Sequence, residues 1–206
     1  SQNFDRLVET IPLIASSEHA ETLRGFRGYV HTGSLKHILK KENLLPSFVE
    51  GLGTAINVLV SNVEDGSIIE YVYRIESPFL FNLRGWNFQN EIPTLYSELL
   101  TKIPVGFSFN QALYGNEKLY LHDAGWSQDC IQNTNRGYIF RCPVERYAMK
   151  DIPAFRKEEF MLSAENYLSR IEFEPEKFLT IGRKTHHIST DWNAVDKRFQ
   201  KDELFG

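Results

Sequence analysis

The stretch Ile68-Ile69-Glu70-Tyr71-Val72-Tyr73-Arg74-Ile75 is the clearest structural signal in the sequence. It is rich in β-branched and aromatic residues, which are enriched in β-strands. Just before it, Asp65-Gly66 is a dipeptide typical of turns. We therefore predict a strand from Ile68 to Ile75 and place the neighbouring elements around it.

Upstream of this strand the sequence predicts one short strand, Gly28 to Val30, followed by one helix. Ser34 is a good helix N-cap, and Pro46 would end the helix. Between them the apolar and basic residues fall on opposite helical faces: Leu35, Ile38 and Leu39 on one, Lys36, Lys40 and Lys41 on the other. The apolar segment from Ala55 to Val63 fits a helix or a strand.

Downstream, a loop with Pro78, Gly85 and Trp86 precedes a short element that begins after Pro93 and carries Leu95, Leu99 and Leu100. Further strands are predicted at Val105 to Phe109, Leu119 to His122 and Tyr138 to Cys142, and a helix from Phe155 to Ile171. Strands that follow one another without long intervening helices favour an α+β fold. We predict one domain over residues 1–190 and a polar tail over 191–206.

Composition narrows the function classes. The 206 residues carry a formal net charge of −4, which argues against a nonspecific nucleic-acid binder. No apolar run approaches the roughly 20 residues that span a bilayer, and Ser1 to Glu9 lack a signal-peptide pattern. The two cysteines, Cys130 and Cys142, are either unpaired thiols or one disulfide. We expect no metal site, because no second close pair of Cys or His has ligand spacing.

Three motifs occur in a recognisable order. The first is Tyr29-Val30-His31-Thr32-Gly33-Ser34, and the second is Gly53-Thr54 followed by the strand Tyr71-Val72-Tyr73-Arg74-Ile75. The third is Tyr96-Ser97-Glu98-Leu99-Leu100-Thr101-Lys102-Ile103-Pro104. This order resembles that of the mono-ADP-ribosyltransferase toxins of the pertussis and cholera type.

The resemblance implies an ADP-ribosyltransferase-like fold, with mixed or antiparallel sheets flanking an NAD cleft and peripheral helices. It implies an enzyme that cleaves the co-substrate NAD and transfers ADP-ribose to a target protein. Glu98 would stabilise the oxocarbenium-like transition state as the catalytic carboxylate, with His31 as its partner in the site. The residues implied to hold NAD are Arg27, His31, Thr54, Tyr71 and Tyr73, and those implied to meet the acceptor are Trp86, Phe88 and Glu91.

Several alternatives stay open at this point. Either His31 or Arg27 anchors NAD, and Glu91 rivals Glu98 as the catalytic carboxylate. The acceptor would be a protein or, as a second possibility, a nucleic acid, although nucleic acid is not the favoured partner. A third hypothesis is a binding module without catalysis. The toxin resemblance implies a secreted or host-delivered protein, with a delivery subunit as a further partner; the alternative is a cytoplasmic protein.

Overall fold

The computed structural model of the chain describes residues 6–49, 53–79, 83–133, 138–158, 161, 163, 166–179 and 185–188. The chain divides into two compact units, Ser1–Leu80 and Phe81–Gly206, where the sequence predicted one domain over 1–190. The described residues of both units form β-strands. The first unit also has one short 3₁₀ helix, Lys41–Asn43, and no α-helix occurs among the described residues. No described helix is long and apolar enough to cross a bilayer.

The first unit contains two three-stranded antiparallel sheets. One sheet has the order β1-β5-β4 and the other β3-β2-β6. Side chains from both sheets form a common aliphatic core of Ile11, Val30, Leu39, Val58 and Val60. The strands are β1 Arg6–Pro12, β2 Thr22–Thr32, β3 Leu35–Leu39, β4 Leu44–Val49, β5 Gly53–Ser61 and β6 Ile68–Glu76.

The second unit also places two sheets around one core. One sheet has the order β10-β11-β8, and in the other β12 pairs with β9, β7 and β13. The core is formed by Phe88, Tyr147, Met149, Ile152, Ile171 and Phe173. The strands are β7 Trp86–Asn87, β8 Thr94–Lys102, β9 Phe107–Tyr114, β10 Leu121–Asn133, β11 Tyr138–Ile152, β12 Arg170–Leu179 and β13 Thr185–His187.

The predicted α+β ADP-ribosyltransferase-like fold with peripheral helices is wrong, because the segments predicted as helices are not helical where they are described. The segment after Ser34 is strand β3, paired with β2 so that Thr32 faces Leu35. Gly33 has a φ of 57° and is the first residue of the two-residue turn between these strands. Gly-Ser in that place is a hairpin signal, so Ser34 belongs to a turn and does not cap a helix.

The late helix from Phe155 to Ile171 is also wrong. Phe160 and Ala164, two of the residues on its apolar face, lie outside the described residues, and Ile171 belongs to strand β12. There Ile171 and Phe173 alternate with charged residues and enter the core. The short period-two pattern Arg170-Ile171-Glu172-Phe173-Glu174 was the signal for this strand.

The strand predictions fare better. Ile68 to Ile75 is confirmed as β6, and the undecided segment from Ala55 to Val63 is mostly strand β5. Tyr138 to Cys142 is confirmed as the beginning of β11. The predicted strands at 105–109 and 119–122 are partly confirmed, since they overlap β9 and β10.

Candidate functional site

Glu98 lies in the middle of β8, on the face opposite the core. Its neighbour Leu99 packs against the core of the second unit, so alternation turns Glu98 outward. Nη2 of Arg146 donates a hydrogen bond of 2.7 Å to Oε2 of Glu98, and the hydroxyl of Tyr96 donates a second hydrogen bond to the same oxygen. The bond from Arg146, and then that from Tyr96, lower the pKa of Glu98. The predicted catalytic carboxylate is therefore a partnered anion on the outer face of a sheet.

His31 and Arg27 belong to β2 in the first unit, whereas Glu98 belongs to the second. Nε2 of His31 lies 3.3 Å from Oε2 of Glu70 on the neighbouring strand β6. Val30, the residue before His31, faces the core together with its partner Ile69. Successive residues of a strand point to opposite faces, so His31 and its partner Ile68 point away from the core. His31 is therefore on the outer face of the β3-β2-β6 sheet.

Tyr71 and Tyr73 lie on the other face of the same sheet. Tyr71 pairs with Gly28, which is two residues from the core residue Val30 and therefore on the same face as Val30. Their rings stack with centroids 6.1 Å apart. Burial and, after it, the nearby carboxylate of Glu9 together raise the pKa of Tyr71 to about 12. Thr54 is in β5, a strand of the other sheet. The residues implied to hold NAD thus do not share one face.

The predicted acceptor loop is partly core. Phe88 is fully buried against the other hydrophobic residues of the second unit, which corrects its expected display to a partner. Trp86 pairs with Ile171 as part of β7, and its Nε1 donates a 3.0 Å hydrogen bond to Oγ of Ser97. Glu91 is exposed. Of the three, Trp86 and Glu91 remain accessible.

Cys142 is buried and disulfide-bonded. The chain's other cysteine is Cys130, whose side chain lies outside the described residues. No group of three His, Cys, Asp or Glu able to hold a metal ion occurs among the side chains that the structure describes.

The second unit contains a cavity of about 420 Å³ that the sequence did not indicate. Four chain segments border it: the turn after β7, the turn after β9, the segment after β11 and the segment before β12. We call it the loop pocket. It is lined by Gln89, Asn116, Glu117, Phe155, Arg156, Glu158, Met161 and Tyr167.

Ser169 precedes β12 and is completely buried. It forms hydrogen bonds to two of the other segments, the turn after β7 and the turn after β9. Its carbonyl oxygen accepts hydrogen bonds from the backbone N–H groups of Phe88 and Gln89, at 2.9 and 3.2 Å. Its own N–H donates to Oε1 of Gln89 at 3.2 Å, and its hydroxyl accepts from the N–H of Glu117 at 3.2 Å. Three segments therefore meet at one small polar residue.

Gln89 adds the fourth segment. Its Nε2 donates to the carbonyl of Pro153 at 3.1 Å, and the N–H of Phe155 donates to the carbonyl of Asn90 at 2.8 Å. Both oxygen and nitrogen of the Gln89 amide are used, which satisfies a side chain that is 7% exposed. The side of the pocket formed by Gln89 and Phe155 is thus anchored by directional hydrogen bonds.

Gly115 permits the close approach that this network needs. It has a φ of 87°, and a Cβ there would lie 2.5 Å from Cα and Oγ of Ser169. The dipeptide Gly115-Asn116 is a turn signal that the sequence offers. Nothing in the sequence around Ser169 or Gln89 marks them as partners, because they are 80 residues apart.

The charged lining of the pocket is available to a ligand. The side chains of Glu117, Arg156 and Glu158 have no hydrogen-bond or ion-pair partner among the residues described. Beside them lie the apolar groups of Phe155, Met161 and Tyr167. Two carboxylates against one guanidinium leave the lining net negative, next to an apolar surface.

No known family and no curated protein matches the chain. One solved structure that resembles it is a protein from Parabacteroides distasonis ATCC 8503, described as a "putative protease". The TM-score is 0.60 at 13% sequence identity, and the alignment covers 98% of this chain and 37% of that one. The likeness therefore concerns the fold, and the chain spans a little over a third of that protein's length.

Proposed function

We propose that the chain is a ligand-binding β-sheet module and that the loop pocket of the second unit is its binding site. The observation that carries this proposal is the buried network at Ser169 and Gln89, which fixes four chain segments around one cavity. Where hydrogen bonds hold part of a pocket wall in place before binding, less conformational entropy is lost when a ligand binds. Its volume of about 420 Å³ is within the range of small-molecule sites.

The lining selects the ligand class. Glu117 and Glu158 attract a cation, and Phe155 and Tyr167 offer aromatic surface to the carbon chain that carries it. An alkylammonium group, such as that of a lysine side chain, meets both requirements. Arg156 would add a contact to a carboxylate or carbonyl group on the same ligand.

Nuclear magnetic resonance titration tests this function with two matched probes, N-acetyl-lysine amide and the uncharged N-acetyl-norleucine amide. We expect the lysine compound to shift the amide signals of residues 115–117 and 155–158, and the norleucine compound to bind more weakly. Replacing Glu117 and Glu158 together by Gln should weaken binding of the lysine compound about tenfold or more. Glu42→Gln, an exposed carboxylate of the first unit, is the matched control. Equal binding of both probes, or shifts outside the pocket, would contradict the proposal.

ADP-ribosyl transfer from NAD remains a separate prediction, supported by the order of the sequence motifs alone. Its alternatives, a nucleic-acid acceptor or a target protein reached with a delivery subunit, depend on it. Incubation with labelled NAD tests it directly. Label transferred to a protein, or nicotinamide released, would establish an activity that the loop pocket does not explain.

A further inference from the structure

The hairpin of β10 and β11 extends beyond the sheet to which it belongs. The third strand, β8, pairs with β11 only from Val144 onward. The β10–β11 pairing continues in the other direction to Asn133 and Tyr138. Beyond Val144 no described strand pairs with the hairpin as a third strand, and one more backbone bond, of 3.4 Å from the N–H of Ile103 to the carbonyl of Pro143, joins the base of this two-stranded ribbon to the end of β8.

One face of this ribbon continues the core-facing side of the sheet. Trp126 pairs with Pro143, and His122 pairs with the core residue Tyr147, so Trp126 shares the face of Tyr147. On this side Nε2 of Gln111, a residue of β9 in the opposite sheet, donates a 2.9 Å hydrogen bond to Oε2 of Glu145. Past it, Trp126 is 64% exposed.

Arg141 accompanies this tryptophan. Its guanidinium carbon lies 6.0 Å from the centroid of the Trp126 ring, at the outer limit of a cation–π contact. Arg141 forms no ion pair with a described residue, whereas the carboxylate of Glu145 is engaged by Gln111 and the Tyr147 hydroxyl. We call the surface of Ala124, Trp126, Arg141 and Pro143 the ribbon ledge, and Arg141 is its one charged side chain.

The ledge is held in a fixed shape. A two-stranded ribbon is marginally stable by itself in water, and the disulfide at Cys142 restrains this one. Cys142 alternates with Arg141 and Pro143 and therefore lies on the opposite face. The cross-link thus stabilises the ribbon without covering the ledge.

We propose that the ribbon ledge is a docking surface for a partner protein that presents an apolar pocket bordered by Asp or Glu. Trp126 inserts into the pocket and Arg141 pairs with the carboxylate at its rim. Tryptophan and arginine are among the residue types enriched at interface hot spots. The chain's net charge of −4 disfavours a nucleic acid as the occupant, and this proposal is independent of the loop pocket.

The experiment uses the whole chain with the photo-crosslinker benzoylphenylalanine at Ala124, an exposed ledge position, in cells that produce it. Mass spectrometry identifies the crosslinked protein and residue, and that protein is purified for binding measurements. We expect Trp126→Ala and Arg141→Glu each to weaken binding about 30-fold or more. Phe48→Ala, an aromatic residue of the first unit that is 80% exposed, should not change it.

Melting temperatures equal to that of the wild type establish that both ledge variants are folded. Crosslinking of the chain to a second copy of itself would overturn the proposal, as would equal affinity of all variants. Binding of a single-stranded oligonucleotide that depends on Trp126 would overturn it in favour of a nucleic-acid ledge. The pair Glu117→Gln and Glu158→Gln should leave partner binding unchanged, which separates the ledge from the loop pocket.

Discussion

Each of the two units consists of β-sheets around a core of its own, but the two cores differ in composition. The core of the first unit is aliphatic, formed by residues such as Val30, Val58 and Val60. The core of the second contains large aromatic side chains, and the buried polar residues Gln89 and Ser169 lie beside it. Hydrophobic burial tolerates many side chains of similar volume, whereas a buried hydrogen-bond network tolerates few. The second unit should therefore be the less tolerant of substitution, and its network fixes the loop pocket.

The largest effect is expected at the aromatic core. Phe88→Ala removes a fully buried ring from among Met149, Ile171 and Phe173. Such truncations cost about 3–5 kcal/mol of unfolding free energy. Hydrogen exchange, measured peptide by peptide, should show lost protection in β7, β11 and β12 and unchanged protection in β2 and β5.

Val30→Ala in the first unit is the matched core truncation, with a fully buried side chain of smaller volume. It should lower protection in the first unit alone, by roughly 1–3 kcal/mol. If Phe88→Ala cost no more than Val30→Ala, the aromatic core would not be what distinguishes the second unit.

A smaller effect is expected at Gly115, which tests the polar network. Alanine there would place a Cβ 2.5 Å from Ser169 and force a residue with a side chain to a φ of 87°. We expect a loss of roughly 2–3 kcal/mol in urea unfolding. The alkylammonium probe should also bind more weakly, because the wall of the loop pocket moves.

Gly125→Ala is the control for Gly115, since no heavy atom lies within 4 Å of its added Cβ and its φ is not positive. It should change stability little and leave the pocket unaffected. Equal losses in the two variants would mean that the Gly115–Ser169 contact does not constrain the pocket.

The sequence predicted the β-strands because their signal is local. Ile68 to Ile75 and Tyr138 to Cys142 alternate or concentrate β-favouring residues and are strands. The segment after Ser34 was wrongly predicted as a helix, because the apolar residues of a five-residue strand can match helical spacing by chance. There the two-residue Gly33-Ser34 turn decides the outcome, and turn chemistry was the better guide.

The candidate site was not predictable for a different physical reason. Gln89 and Ser169 meet through contacts between segments 80 residues apart, and neither belongs to a local motif. Glu98, in contrast, stood in a motif that resembled a known family but forms an outward-facing ion pair with Arg146. A motif order fixes neither the face nor the unit on which each residue is placed.

A still smaller effect is expected at high pH in the first unit. Burial and Glu9 raise the pKa of Tyr71 from 10.0 to about 12, so the folded state keeps a proton that the unfolded state releases. The stabilising contribution is therefore complete below pH 10 and is lost as the pH rises towards 12. Because Tyr71 is 38% exposed, solvent screening limits the effect to roughly 1 kcal/mol or less.

The measurement compares the pH dependence of unfolding free energy in wild type and Tyr71→Phe. The wild type should lose stability relative to the variant between pH 10 and 12, and Glu9→Gln should narrow that window. Parallel curves for wild type and Tyr71→Phe would show that the carboxylate and the burial do not act on this hydroxyl.

The smallest effect on stability is expected at Glu98, where the effect on activity decides most. Its bonds from Arg146 and Tyr96 lower its pKa, so its stabilising contribution is present above its ordinary value of 4.5 and is lost as the pH falls through the folded value. The pair lies on the outer face of β8, and exposed ion pairs contribute little. Glu98→Gln should therefore leave the melting temperature at pH 7 unchanged within error, and Glu91→Gln, the other carboxylate considered for catalysis, should do the same.

The labelled-NAD assay on these two proteins then separates a surface ion pair from a catalytic group. If the wild type releases nicotinamide and Glu98→Gln alone does not, the folded variant lacks a charge that acts on the reacting ribose, and the motif resemblance identified chemistry that the sheet geometry does not indicate.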